Sequence, residues 1–290
     1  MFFSKSQVAA LLLSTSSVTA KAVLDSRQAG VEDLGWGPIC GLQPTNSEIV
    51  STTSTFYPGK MPQGQKGYLF SWIGIQGADA SGQLEGDLVQ SIVGSYPAGS
   101  SECSGPDADT TWCVSSEVYG KDESGNTVQF VGDKRTADVN FDNGIVFNYK
   151  LADKSTYLWE QTMTDAVTGE VLAIYQKTSG PMKLWNTAIE KQDANGNDPT
   201  GTNEPQYYVN TTITLAEADK SYSSGIYGNN GATFTDMTTS DGGKTVSSEF
   251  HAILAVASLH RTSNAIKEWL DANRLSLQWF IEKITIPAMN

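Results

Sequence analysis

The sequence predicts an all-β sandwich, and three observations carry the prediction. Short runs rich in β-branched and aromatic residues recur from Glu48 to Leu215, turn signals separate them at close spacing, and neither an internal repeat nor a linker divides the stretch. With 290 residues and 27 glycines, the chain has room for one large turn-rich β domain.

The elements follow in order. Glu48 to Tyr57 alternates and is closed by Pro58-Gly59-Lys60. Two apolar runs, about Tyr68 to Ile75 and Leu88 to Val93, flank a Gly/Asp-rich turn and read as neighbouring strands. Pro97 to Thr111 is a loop, Trp112 to Tyr119 a strand, Lys121 to Asn126 a hairpin turn and Thr127 to Val131 its return. Ala137 to Phe141 and Gly144 to Leu151 read as strands joined at Asp142-Asn143-Gly144. Thr156 to Asp165 and Gly169 to Lys177 form a hairpin. Lys183 to Glu190 and Gln206 to Leu215 are strands on either side of an Asn/Gly/Asp/Pro loop, and Ser221 to Gly243 reads as irregular.

Both ends differ from this middle. Lys5, the apolar Val8 to Leu13 and Ala20-Lys21-Ala22 make residues 1–22 a signal peptide, so the chain is expected to be secreted, with the sandwich over residues 23–245. Residues 246–278 show helical periodicity and hold both histidines, His251 and His260. Val246-Ser247 can be encoded by a splice-donor sequence, Ala272-Asn273 by a branch point and Gln278 by an acceptor. The segment therefore reads either as a helical insert or as a translated intron. Residues 279–290 then supply the last strand.

Charge and chemistry narrow the function. Asp and Glu total 32 against 19 Lys and Arg, a net charge of −13, which disfavours nucleic acid and anionic membrane surfaces as partners. Cys103 and Cys113 flank one loop and are expected to form a disulfide, leaving Cys40 free or as an alternative partner. Three cysteines without metal-ligand spacing, and no histidine before residue 246, predict no metal and no cofactor. Asn210-Thr211-Thr212 is a glycosylation sequon. What remains is carboxylate and carboxamide chemistry. Gln90 is the one carboxamide amid the apolar residues of its run, pointing either to solvent or into a groove.

Several short motifs occur in one order: Ser54 to Gly59 (STFYPG), Trp72-Ile73-Gly74-Ile75-Gln76-Gly77, Leu88-Val89-Gln90 followed by Gly94, Ser116-Glu117-Val118-Tyr119, Asp142 to Ile145, Trp159 to Glu170, and Ala188-Ile189-Glu190. From Gly35 to Glu190 this order resembles the glutamic peptidases (eqolisins), secreted acid proteases of filamentous fungi. Gln76 stands where that family has Asp, and the tryptophans that flank the family's counterpart of Glu117 are missing. The resemblance implies a concanavalin A-like jelly roll of two antiparallel sheets. It also implies Glu190 as general base and Gln90 as oxyanion donor, facing each other across a concave sheet, with Trp72 and Glu117 binding substrate. The expected function is an acid endopeptidase. The alternatives are a non-catalytic lectin-like or cell-wall-binding module, and a glycosidase using Glu117 and Glu190. The expected partner is a polypeptide or polysaccharide, met by a monomer.

Overall fold

A computed structural model of the chain describes residues 34–61, 63–100, 103, 108–136, 141–192, 200–202 and 205–253. The expected signal peptide, most of the C-terminal segment and the expected last strand lie outside the described residues.

The chain forms sixteen described strands. The first eight are β1 (Leu34–Leu42), β2 (Ile49–Tyr57), β3 (Gln63–Lys66), β4 (Tyr68–Ala78), β5 (Leu84–Ser95), β6 (Cys113–Lys121), β7 (Thr127–Thr136) and β8 (Ile145–Asp153). They are followed by β9 (Leu158–Asp165), β10 (Val171–Thr178), β11 (Leu184–Gln192), β12 (Thr200–Thr202), β13 (Gln206–Leu215), β14 (Ile226–Asn229), β15 (Ala232–Phe234) and β16 (Thr245–Ile253). They build two seven-stranded sheets, ordered β14-β1-β11-β4-β5-β6-β7 and β10-β9-β8-β2-β13-β16-β15, with β12-β3 as a small separate pair. The neighbouring strands pair antiparallel. The all-β, two-sheet sandwich expected from the sequence is therefore the architecture of the chain.

Strand alternation assigns the faces. In the first sheet Ile73, Ile75, Val89, Val93, Val114, Val118, Trp185 and Ile189 point toward the second sheet, where they meet Phe56, Phe147, Tyr149, Trp159, Met163 and Tyr208. The intervening residues Phe70, Trp72, Leu88, Ile92, Cys113 and Ala188 form a second apolar cluster on the outer face of the first sheet. Trp112, Trp159 and Trp185 all belong to the inter-sheet core.

Polar residues cross that core and tie the sheets together. The Tyr149 hydroxyl donates to the Ile73 carbonyl at 2.7 Å and the Tyr208 hydroxyl to the Trp72 carbonyl at 3.2 Å. Gln161 Nε2 donates to the Glu117 carbonyl at 2.9 Å, and its Oε1 accepts from Ser91 Oγ at 3.3 Å. These contacts hold the backbones of β4, β5 and β6 from below.

Turns are anchored by aspartates. Asp79 Oδ1 accepts from the backbone of Ser81 and Gln83, Asp122 Oδ1 from Ser124 and Asn126, and Asp241 Oδ1 from Lys244 and Thr245. Asp219 has a wider reach. Its carboxylate accepts from Thr45 Oγ1, the Asn46 backbone and the Ser221 backbone and hydroxyl, pinning the entry to β2 against the loop after β13.

Two expectations are corrected and one strand is added. The helical character read from Val246 onward fails over its first residues, because Thr245–Ile253 is a strand held between β13 and β15. Val246 and Ser248 turn inward and are buried, so pairing to two neighbours overrides the local helical pattern. Leu34–Leu42, with its glycines and Pro38, gave no strand signal, yet it lies between β11 and β14 with a register shift between Trp36 and Ile39. Of the strand expected over Ala137 to Phe141 only Phe141 lies among the described residues, and it begins a 3-10 turn, Phe141–Asn143.

Candidate functional site

The first sheet carries its chemistry on the outer face. Register defines the rows. One row runs Gly41, Asn186, Gly74, Gln90, Glu117 across β1, β11, β4, β5 and β6. A second runs Trp36, Glu190, Phe70, Gly94, Cys113 across the same strands. Gln90, Glu117, Glu190 and Trp72 thus share one face, but they do not form one cluster.

Glu190 does not stand across from Gln90. The row of Gln90 crosses β11 at Asn186, four residues before Glu190. That offset is about 13 Å along the strand and about 10 Å across two strand spacings. Glu190 is also engaged already. Its Oε2 accepts from Trp72 Nε1 at 3.1 Å and its Oε1 from Gln192 Nε2 at 2.5 Å, and it is fully buried. Trp72, also buried, packs edge-on against Trp36. Glu117 and Glu190 lie three strands apart with the same longitudinal offset, about 20 Å in all, well beyond the spacing of a glycosidase pair.

Gln90 is completely buried, and neither its Oε1 nor its Nε2 has a hydrogen-bond partner. Its register neighbour Glu117 is buried too, with Oε1 accepting from Ser115 Oγ at 2.6 Å. Directly paired side chains on adjacent strands lie about 5 Å apart at Cβ, so these two reach a common space. On the other side, Gly74 separates Gln90 from Asn186, and the Leu88 side chain lies over it. Asn186 is 4% exposed and its Oδ1 is unsatisfied.

The remaining sites are peripheral. Cys103 and Cys113 form the expected disulfide, with Cα atoms 5.9 Å apart. Its loop packs on the outer face through Tyr96, Cys103 and Ala108, beside the row of Glu190. Cys40 is buried and free, and burial pushes its thiol up to about 12. Asn210 is exposed with φ 53°, at a register shift between β13 and β2. Among the described residues no cluster of His, Cys, Asp and Glu could hold a metal, and no helix is long and apolar enough to cross a membrane.

Sequence reading missed Asn186, Gly74 and Leu88 as parts of this site. The period-2 pattern puts Asn186 on the face of Glu190, but nothing local gives the offset between β11 and β5.

Comparisons with known proteins give no assignment by sequence: no family model and no curated protein matches. Among solved structures the chain is similar to two glutamic peptidases. For scytalido-glutamic peptidase bound to a transition-state analogue inhibitor, identity is 18% and the TM-score 0.43, over 75% of this chain and 98% of that one. For SCP-B, an eqolisin in complex with the tripeptide Ala-Ile-His, identity is 14% and the TM-score 0.37, over 74% of this chain and 98% of that one. It is also similar to the kappa-carrageenase of Pseudoalteromonas carrageenovora in complex with an oligotetrasaccharide, at 10% identity and a TM-score of 0.33, over 75% of this chain and 68% of that one. Identities this low leave the chemistry to be read from the chain's own residues.

Proposed function

We propose that this is a secreted binding protein whose first-sheet outer face holds an extended ligand without hydrolysing it. The observation that carries the reading is the row of Gln90. An oxyanion donor needs a general base within reach of one shared water. Across Gly74 from Gln90 stands Asn186, an amide that cannot take a proton; Glu117 on the other side is buried with Oε1 held by Ser115 Oγ, and Glu190 is four residues away with both oxygens engaged. The leader-like N-terminus and the Cys103–Cys113 disulfide support export.

The experiment is casein hydrolysis at about pH 3 to 4 by the secreted chain, beside Asn186→Glu. The expected result is no cleavage by the native protein and measurable cleavage by the variant, which places a carboxylate across Gly74 from Gln90. Native cleavage that disappears in Glu190→Gln would overturn the reading and restore Glu190 as base.

A second reading has one observation in its favour. Glu117 is paired directly with Gln90. A water held by its carboxylate would face the Gln90 amide, giving an acid endopeptidase with Glu117 as base and Gln90 as oxyanion donor. Acid cleavage by the native chain that is abolished by Glu117→Gln but kept in Glu190→Gln would select it.

A further inference from the structure

Five carboxamides on the outer face keep polar atoms without a hydrogen-bond partner, and three of them surround Gly74: Gln90 with both atoms, Asn186 with Oδ1 and Gln76 with Oε1, while Gln192 and Gln129 lie further off. The exposures of Gln90, Asn186 and Gln76 are 0%, 4% and 7%. Folded proteins rarely leave buried polar groups unsatisfied, because each has lost water and gained nothing. Here these three converge on one glycine. Gly74 separates Asn186 from Gln90 within the row, and Gln76 is the next residue of β4 on the same face.

We infer that the notch over Gly74 is a binding site for a neutral polyhydroxylated chain, an oligosaccharide, gripped by Gln90, Asn186 and Gln76 with Glu117 at one end of the row. The inference rests on the reading of this face as a non-hydrolytic binding surface. A carboxamide presents a donor and an acceptor side by side, and neighbouring hydroxyls on a sugar ring answer both at once. The three rows of β11, β4, β5 and β6 around the notch read Leu184, Gln76, Leu88, Tyr119, then Asn186, Gly74, Gln90, Glu117, then Ala188, Trp72, Ile92, Ser115. They contain no cation and one carboxylate, so an anionic ligand gains nothing there. Leu88, Ile92 and Ala188 are 1%, 4% and 1% exposed, and once uncovered they would meet the C–H faces of the rings. A peptide is served less well. Extended peptides are held by main-chain bonds to a sheet edge, whereas β4 and β5 are interior strands paired on both sides.

Leu88 guards the notch. A Cβ placed on Gly74 would lie 2.8 Å from Leu88 Cδ1, so that methyl already occupies the space above the glycine. The proposed binding requires Leu88 to rotate away from Gly74.

The test is calorimetric titration of the full secreted chain with cellohexaose, laminarihexaose, chitohexaose and mannohexaose, and with the neutral peptide acetyl-(Gly-Ser)3-amide. At least one hexasaccharide should bind saturably. The double variant Gln90→Leu/Asn186→Leu should weaken it about tenfold or more, without a lower urea midpoint, and Leu88→Ala should tighten it. Absence of binding by all four sugars would overturn the inference, as would equal affinity in the double variant. Gln90-dependent binding of the peptide alone would reject the saccharide while sparing the non-hydrolytic reading. Cleavage of a bound hexasaccharide, read by chromatography of the products, would keep the ligand class and reject the non-hydrolytic reading.

Discussion

Replacing Gln90 by leucine should make the unliganded protein more stable, contrary to the usual effect of mutating a fully buried residue. The Gln90 side chain is 0% exposed and neither end of its amide is bonded. An unsatisfied buried amide costs about 1–3 kcal/mol by the measure of protein mutants. Leucine is close in size and removes that cost, and its neighbours along β5 on this face, Leu88 and Ile92, are already apolar. A gain of about 2 kcal/mol is expected, which for a domain of this size raises the melting temperature by about 4–8 °C. Urea denaturation of both proteins at one pH gives the difference directly from the midpoints, provided the slopes agree. A loss of more than about 1 kcal/mol in Gln90→Leu would show that the amide is satisfied in the folded protein. The inference of an unspent binding group would then collapse. A stabilised variant that also loses ligand is the signature of a residue kept for function at the expense of stability.

Two further predictions concern the scaffold. Burial alone would raise the Asp219 carboxyl, but hydrogen bonds from Ser221, Asn46 and Thr45 outweigh it and hold the group at about 2. Its contribution is therefore present above the ordinary aspartate range near pH 4 and is lost as pH falls through about 2. Asp219→Asn should cost about 2 kcal/mol at pH 6 and progressively less between pH 4 and pH 2, as read by urea midpoints across that range. The Cys103–Cys113 bridge closes a loop with a sequence separation of 10. Cys103→Ser/Cys113→Ser should lose about 2–3 kcal/mol, matched by reductant added to the native chain and not by reductant added to the variant.

Much of the fold was legible because it is written in local alternation. Gln206–Leu215 is the strand the pattern marked, and the hairpins at Lys121 to Asn126 and near Gly169 sit where turn residues placed them. Leu34–Leu42 was not legible, since its strand character comes from neighbours on both sides rather than from its glycines and proline. Val246 onward misled for the same reason. The site shows where local reading stops. That Gln90, Glu117 and Glu190 share a face follows from period 2 within each strand. Which of them meet depends on the offset between β5 and β11, set by the pairing of each with β4. One sequence read strand by strand contains no statement of that offset, so Asn186 was invisible as the residue across from Gln90.

The odd cysteine has a consequence for how the molecule matures. Cys40 pairs in register with Thr187 of β11 on one side and Gly228 of β14 on the other, and is wholly enclosed. Until β1 docks there, three thiols compete and two of the three pairings are mistakes. Docking withdraws one contestant, and the raised pKa leaves it almost without thiolate to attack the finished bridge. Enclosing the third thiol in a glycine-rich strand thus protects the bridge on the same sheet from exchange.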